Sequence, residues 1–136
     1  MKFLENFTGS VFQVFDDKAR KENIQRAKVY FEYNEQEFRK LNQEGFGIYF
    51  TPNFCKGGRK TENLTKLNCI FADLDVAKEG ECRAEEIKKR KLVLRTALLT
   101  DKIQPNFIID TKNGLQPLWL LEDEPLTEEN KKQFIL

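Results

Sequence analysis

Asp73 and Asp75 stand two residues apart at the end of an apolar run, Cys69-Ile70-Phe71-Ala72. On an extended strand alternate side chains share a face, so the two carboxylates project together while Ile70, Ala72 and Leu74 point the other way. Their Cα atoms then lie roughly 6 to 7 Å apart, from which both can reach one Mg²⁺ or Mn²⁺, or bridge two ions about 3.5 to 4 Å apart. That is the chemistry of phosphoryl transfer. A solvated turn after a strand also accepts a pair of Asp, so spacing alone leaves both readings open.

The chain contains 0 histidines, which excludes serine-histidine triads, histidine zinc sites and paired-histidine nickases. Metal chemistry must therefore rest on carboxylates, and oxygen ligands favour Mg²⁺ or Mn²⁺. The 3 cysteines, Cys55, Cys69 and Cys82, form no CxxC pair, and their odd number argues for reduced, structural thiols. A formal charge of +1 over 136 residues announces neither nucleic acid nor membrane, so any partner must be read from local patches. No apolar stretch approaches membrane-spanning length and the first ten residues lack the apolar core of a signal peptide, which leads us to expect a cytoplasmic protein without a membrane partner. With 40% apolar residues the chain can bury a core, and its length suits a single domain over 1–136.

The elements that position the carboxylates follow from periodicity. Residues 12–15 read as a strand ending in Asp16-Asp17, and 27–33 as a second strand. Asn34 can cap a helix over 35–42, with Glu37 at the capping-box position and Gly45 as the stop. Residues 47–51 form a strand broken by Pro52, and a polar loop carrying Lys56, Gly57, Gly58, Arg59 and Lys60 returns into the Asp-bearing strand at 68–75. A helix is expected at about 83–99, with Ala84, Ile87, Leu94 and Leu98 on one face and Lys88, Lys89 and Arg90 toward solvent. A strand at 107–110, the turn Lys112-Asn113-Gly114 and a strand at 115–121 read as a hairpin, since Asn-Gly between apolar runs suits a type I′ turn. Trp119, on alternating apolar sequence, is read as core. Thr127 caps a last helical pattern over 127–136, and the chain looks cut short. The order implies an α+β fold, a mixed or antiparallel sheet with flanking helices, and places the carboxylates and the hairpin on adjacent strands.

Blocks in fixed order now resemble one family: Gly47-Ile48-Tyr49-Phe50-Thr51-Pro52-Asn53 with Arg59-Lys60 after it, Phe71-Ala72-Asp73-Leu74-Asp75, and Pro105-Asn106-Phe107-Ile108-Ile109-Asp110-Thr111-Lys112-Asn113-Gly114-Leu115-Gln116-Pro117-Leu118-Trp119. The chain resembles the N-terminal part of a primase-polymerase domain of the archaeo-eukaryotic primase superfamily, in the replication-protein branch of phages and plasmids. The opening Phe12-Gln13-Val14-Phe15-Asp16-Asp17 is similar to the start of such domains. The resemblance implies an RRM-like catalytic core, here partial, that makes and extends DNA primers from nucleoside triphosphates with two divalent metals. Asp73 and Asp75 match the family's metal-binding pair. A third Asp is expected beyond Leu136, so this chain alone is expected to be inactive. Gln116 falls where the family has a histidine facing the triphosphate, and a Gln amide donates a hydrogen bond without a charge, which leaves the charge to Lys112; Lys112, Asn113 and Gln116 are the nucleotide-binding candidates the resemblance implies. Arg59 and Lys60 are candidate nucleic-acid contacts through phosphate. The partners implied are a DNA template and primer, nucleoside triphosphates, and a helicase domain or remaining primase segment. Two other functions stay open: a catalytically inactive nucleic-acid-binding module of the same fold, and a metal-dependent nuclease.

Overall fold

Alternating apolar residues in Phe12-Gln13-Val14-Phe15 seat a strand with one face inward, and the rest of the first sheet is built around it. The computed structural model describes residues 3–7, 9–16, 28–78 and 80–129. The fold is α+β, with two antiparallel sheets and two α-helices among the described residues. The chain divides into two units, with boundaries at Asn68/Cys69 and Glu122/Asp123. The strands and helices in chain order are β1 (Phe12–Asp16), β2 (Lys28–Tyr30), α1 (Glu35–Gln43), β3 (Phe46–Phe50), β4 (Phe54–Cys55), β5 (Leu64–Phe71), β6 (Leu74–Asp75), α2 (Ala84–Thr100), β7 (Phe107–Asp110) and β8 (Gly114–Pro125).

In the first unit β1 lies between β2 and β3, with Phe12 opposite both Tyr30 and Phe50, and Gln13 opposite both Val29 and Tyr49. Phe12 and Val14 turn one face of this sheet onto Phe38 of α1, and Leu41, Phe46, Ile48 and Phe50 close around them. Burying these side chains contributes about 1.5–3 kcal/mol each, which fixes the register because a one-residue slip would expose them all. α1 starts where the side chain of Asn34 accepts from the Glu37 N–H at 3.1 Å. The Glu37 carboxylate does not complete a capping box; it accepts from the Tyr30 hydroxyl at 2.7 Å, tying α1 to β2. The helix ends before Gly45, whose φ of 96° suits glycine. β4 pairs with the first part of β5; it is too short for periodicity to reveal.

In the second unit β8 is flanked by β7 on one side and β6 on the other, with β5 also a neighbour. Leu115 and Leu118 of β8 are buried, as are Cys69 and Ala77. α2 carries no fully buried residue: Ile87, Leu94 and Leu98 are half-buried, Ala84 is exposed, and Lys88, Lys89 and Arg90 face solvent as their pattern implies. Two strands are shorter than their sequence suggests. The expected strand 68–75 is β5 followed, after Ala72-Asp73, by β6, and the one at 27–33 is Lys28–Tyr30. Asp17, Ala27 and most of the last helical pattern lie outside the described residues. No helix among the described residues is long and apolar enough to cross a membrane.

Candidate metal and nucleotide site

The register between the Asp-bearing segment and β8 decides where the carboxylates point. The Ala72 N–H donates to the Pro117 carbonyl at 3.2 Å, Leu74 pairs with Leu115, and the Val76 N–H donates to the Asn113 carbonyl at 2.9 Å. Residues 72, 74 and 76 thus take the hydrogen-bonded positions of the ladder. Asp73 and Asp75 fall between them, at non-hydrogen-bonded positions where facing backbones approach most closely. Asp75 is opposite Gly114, and Asp73 accepts from the Gln116 amide at 3.1 Å. By the pleat, both carboxylates share one face of the sheet. Both are exposed.

Gly114 makes this pairing possible. A Cβ there would lie 2.1 Å from the Leu74 carbonyl oxygen and 2.8 Å from the Asp75 Cα, both backbone atoms. Gly114 does not take the left-handed conformation that a type I′ turn would require of it. The hairpin tip is instead Lys112-Asn113, closed by the Thr111 N–H donating to the Gly114 carbonyl and the Gly114 N–H donating to the Thr111 hydroxyl, each at 3.1 Å. The Asn-Gly pair is therefore read correctly as a hairpin and incorrectly as its tip; the glycine is dictated by the neighbouring strand.

Asp110 pairs with Leu115 and so belongs to the opposite face from Asp73 and Asp75. Lys91 and Arg95 of α2 hold it at 2.6 and 2.9 Å, and Lys91 also donates to the Thr111 carbonyl. The hydrogen bond from Lys91 is the largest influence on the Asp110 carboxyl; burial opposes it, and the charges of Lys91 and Arg95 with the Arg95 hydrogen bond bring the net effect below the ordinary range. Asp110 is a tether for α2. The sequence signal was there, in cations four residues apart on one helix face beside a strand-end Asp, but such spacing is common on solvated helices.

The two hairpin residues proposed to act together are engaged differently. Lys112, with Asn113, lines a cavity of about 860 Å³ beside α2, shared with Lys88, Lys89, Lys91 and Arg95. Gln116 is held by Asp73. Trp119 donates its indole N–H to the Ile103 carbonyl at 3.0 Å and is only half-buried, so it is not the core residue that the apolar alternation around it suggests. Arg59 and Lys60 belong to the first unit, in the loop where Gly57 and Gly58 adopt φ of 80° and 155°. Both are exposed, and Lys60 lies 3.6 Å from Glu62.

Among the described residues no group of three or more His, Cys, Asp or Glu side chains could hold a metal ion. The Asp73–Asp75 pair has the hard, all-oxygen donor set that Mg²⁺ and Mn²⁺ prefer, with the bare Gly114 beside it. It fits a hydrated divalent ion, most of whose shell would be water.

Compared with curated proteins, the chain is similar to a replication protein of Clostridium perfringens, with 30% identity over 95 residues, which is 68% of this chain and 22% of that protein. The chain thus spans about a fifth of the length of the curated relative it matches. No family model matches the chain, and no solved structure matches it significantly.

Proposed function

We propose that this chain is part of a phage or plasmid replication protein and forms the N-terminal part of a primase-polymerase catalytic domain. The observation that carries the reading is the pair Asp73 and Asp75, exposed on one sheet face at the edge of the β8 hairpin, in a chain similar to a replication protein. In this reading the two carboxylates hold Mg²⁺ or Mn²⁺. Divalent ions held there would supply positive charge to a nucleoside triphosphate and to an attacking 3′-hydroxyl. The Gln116 amide orients the Asp73 carboxylate, and the close approach at Gly114 keeps Asp75 beside the hairpin. Lys112, Asn113 and Gln116 meet the incoming nucleotide, and Arg59 and Lys60 contact DNA phosphates.

A second reading, an inactive DNA-binding module, is favoured by one observation: the amide of Gln116 already occupies Asp73. Mn²⁺ titration followed by paramagnetic NMR broadening separates the two. Catalytic use of the pair requires weak, saturable broadening centred on Asp73, Asp75 and Gln116, abolished in Asp73→Ala with Asp75→Ala. Broadening centred elsewhere, or unchanged in that variant, would favour the binding module and remove the metal role. Primer extension by the full reading frame, and its loss in the same double variant, then tests the chemistry.

A further inference from the structure

The sheet of the first unit has a second face. Its core face is covered by α1, but Gln13 and Phe15 of β1 and Tyr49 of β3 point the other way, since residues on a strand alternate and Gln13 is directly opposite Tyr49 and Val29. Tyr49 is 52% exposed and Val29 46%. Phe15 lies opposite Gly47, and with no side chain there its ring reaches Tyr49 edge-to-face at 5.6 Å. Val11, Gln13, Phe15, Tyr49, Thr51 and Arg59 line a cavity of about 310 Å³ on this face. Gln13 is one of the lining residues, and its Oε1, itself buried from solvent, has no hydrogen-bond partner among the described residues.

An orphaned acceptor in a partly apolar site is costly to leave unmade, and a ligand donor that reaches it recovers the loss. Gln13 is only half-buried, and the binding argued here requires its side chain to rotate so that this oxygen meets the ligand. Beside it stand aromatic rings that can stack on a flat π system, and at the rim a guanidinium that can take a phosphate. A peptide adding a strand would pair with backbone at a sheet edge, whereas this cavity offers side chains on the sheet face. An unpaired base has all three complements: a π face, an amino edge that donates, and a phosphate one bond system away.

We propose that this cavity is a pocket for one unpaired, amino-bearing nucleobase, adenine or cytosine, of a single-stranded DNA. Tyr49 stacks on the base with Phe15 packed against its edge, Gln13 Oε1 accepts from its exocyclic amine, and Arg59 pairs with the adjoining phosphate. The choice of DNA rests on the replication-protein reading, but the pocket does not involve the carboxylate pair. A strand is the occupant, because Arg59 is the one cation lining the cavity among the described residues and an open site of this size holds a single base weakly; neighbouring phosphates on Lys56 and Lys60 of the same loop add affinity that a free nucleotide lacks.

The test is fluorescence anisotropy of the whole chain with labelled dA, dC and dT 12-mers and an abasic 12-mer, in EDTA and without nucleotides. The dA and dC strands should bind more tightly than dT and at least ~5-fold more tightly than the abasic strand. Tyr49→Ala should weaken dA binding ~5- to 100-fold. Gln13→Leu should weaken dA and dC ~2- to 10-fold, leave dT nearly unchanged, and raise Tm by removing the orphaned acceptor, which guards against a folding artefact. Arg59→Ala should weaken all strands alike and flatten the salt dependence, while Lys40→Ala on α1 should change nothing. Equal affinity for the abasic and dA strands, or parental binding by Gln13→Leu and Tyr49→Ala, overturns the pocket. Binding of free dAMP as tight as that of the strand overturns the strand assignment. Because metal is absent throughout, either failure leaves the Mn²⁺ test of Asp73 and Asp75 untouched, and failure of that test leaves this one standing.

Discussion

At Asp73 the decisive contact is the 3.1 Å hydrogen bond from the Gln116 amide, a neutral donor on a carboxylate that a metal would also need. Replacing that donor with one that titrates makes the geometry measurable. The chain has 0 histidines, so Gln116→His would carry the single imidazole in the spectrum. Beside Asp73 its charged form is favoured, and its pKa should rise from about 6.5 to roughly 7, as expected for an exposed ion pair. A raised pKa means the contact stabilises the fold below about pH 6.5 and fades as pH rises through the folded value. NMR titration of the ring protons checks this, with Asp73→Asn in the same background returning the value to about 6.5. If the pKa of His at 116 is unmoved by Asp73, the register that pairs these residues is wrong. Added Mn²⁺ should pull the value down again if the ion occupies Asp73. The sequence could place Asp73 and Asp75 on one face, because the alternation of a strand needs only the spacing. It could not show that Gln116 faces Asp73, since that depends on the register between segments 43 residues apart.

Between elements, the hairpin and the Asp-bearing segment are locked by a missing side chain. Gly114→Ala would push a methyl to 2.1 Å from the Leu74 carbonyl, and neither backbone can yield without breaking the ladder on which β6 depends. We expect a loss of ~2–3 kcal/mol, the range of overpacking in a tight contact, seen as a lower urea midpoint with an unchanged m-value. Asn113→Ala, at the tip, should lose well under 1 kcal/mol; a reversed order would restore the type I′ turn as the reason for the glycine. The same comparison marks what the sequence can and cannot say about elements. Both helices, the first strand and the hairpin are legible because period and capping residues are local, as in Asn34 capping α1. Local pattern missed β4, two residues long, because pairing with β5 alone makes it a strand. It also misassigned the carboxylate of Glu37, which the Tyr30 hydroxyl of a neighbouring strand takes at 2.7 Å. Asp110 has the same lesson: it looks like any strand-end acid until α2 lays Lys91 and Arg95 against it.

Across the whole chain, the near balance of 23 basic and 22 acidic residues leaves no long-range field, so the recognition proposed above rests on local groups: the carboxylate face in one unit and the aromatic face with Arg59 in the other. The cysteines sample both units. Cys55 belongs to the first, Cys69 and Cys82 to the second. Cys82 is half-exposed, whereas Cys69 is 1% exposed and burial pushes its thiol up to about 12. Only the thiolate reacts, so at pH 8 a thiol of pKa about 12 is ionised in roughly one molecule in ten thousand, against roughly one in ten near pKa 9. Burial also raises the Cys55 thiol, but a hydrogen bond with Thr51 and the charge of Arg59 work against it. Iodoacetamide at pH 8 should therefore label the half-exposed Cys82 first, the buried Cys55 more slowly and Cys69 slowest of the three, as read by peptide mapping over time. In urea above the transition the three rates should converge, because the differences reside in the fold and not in the local sequence. Comparable labelling of Cys69 and Cys82 in native buffer would mean that the strand leading into Asp73 is not buried, and the rigid platform on which the carboxylate pair depends would be lost with it.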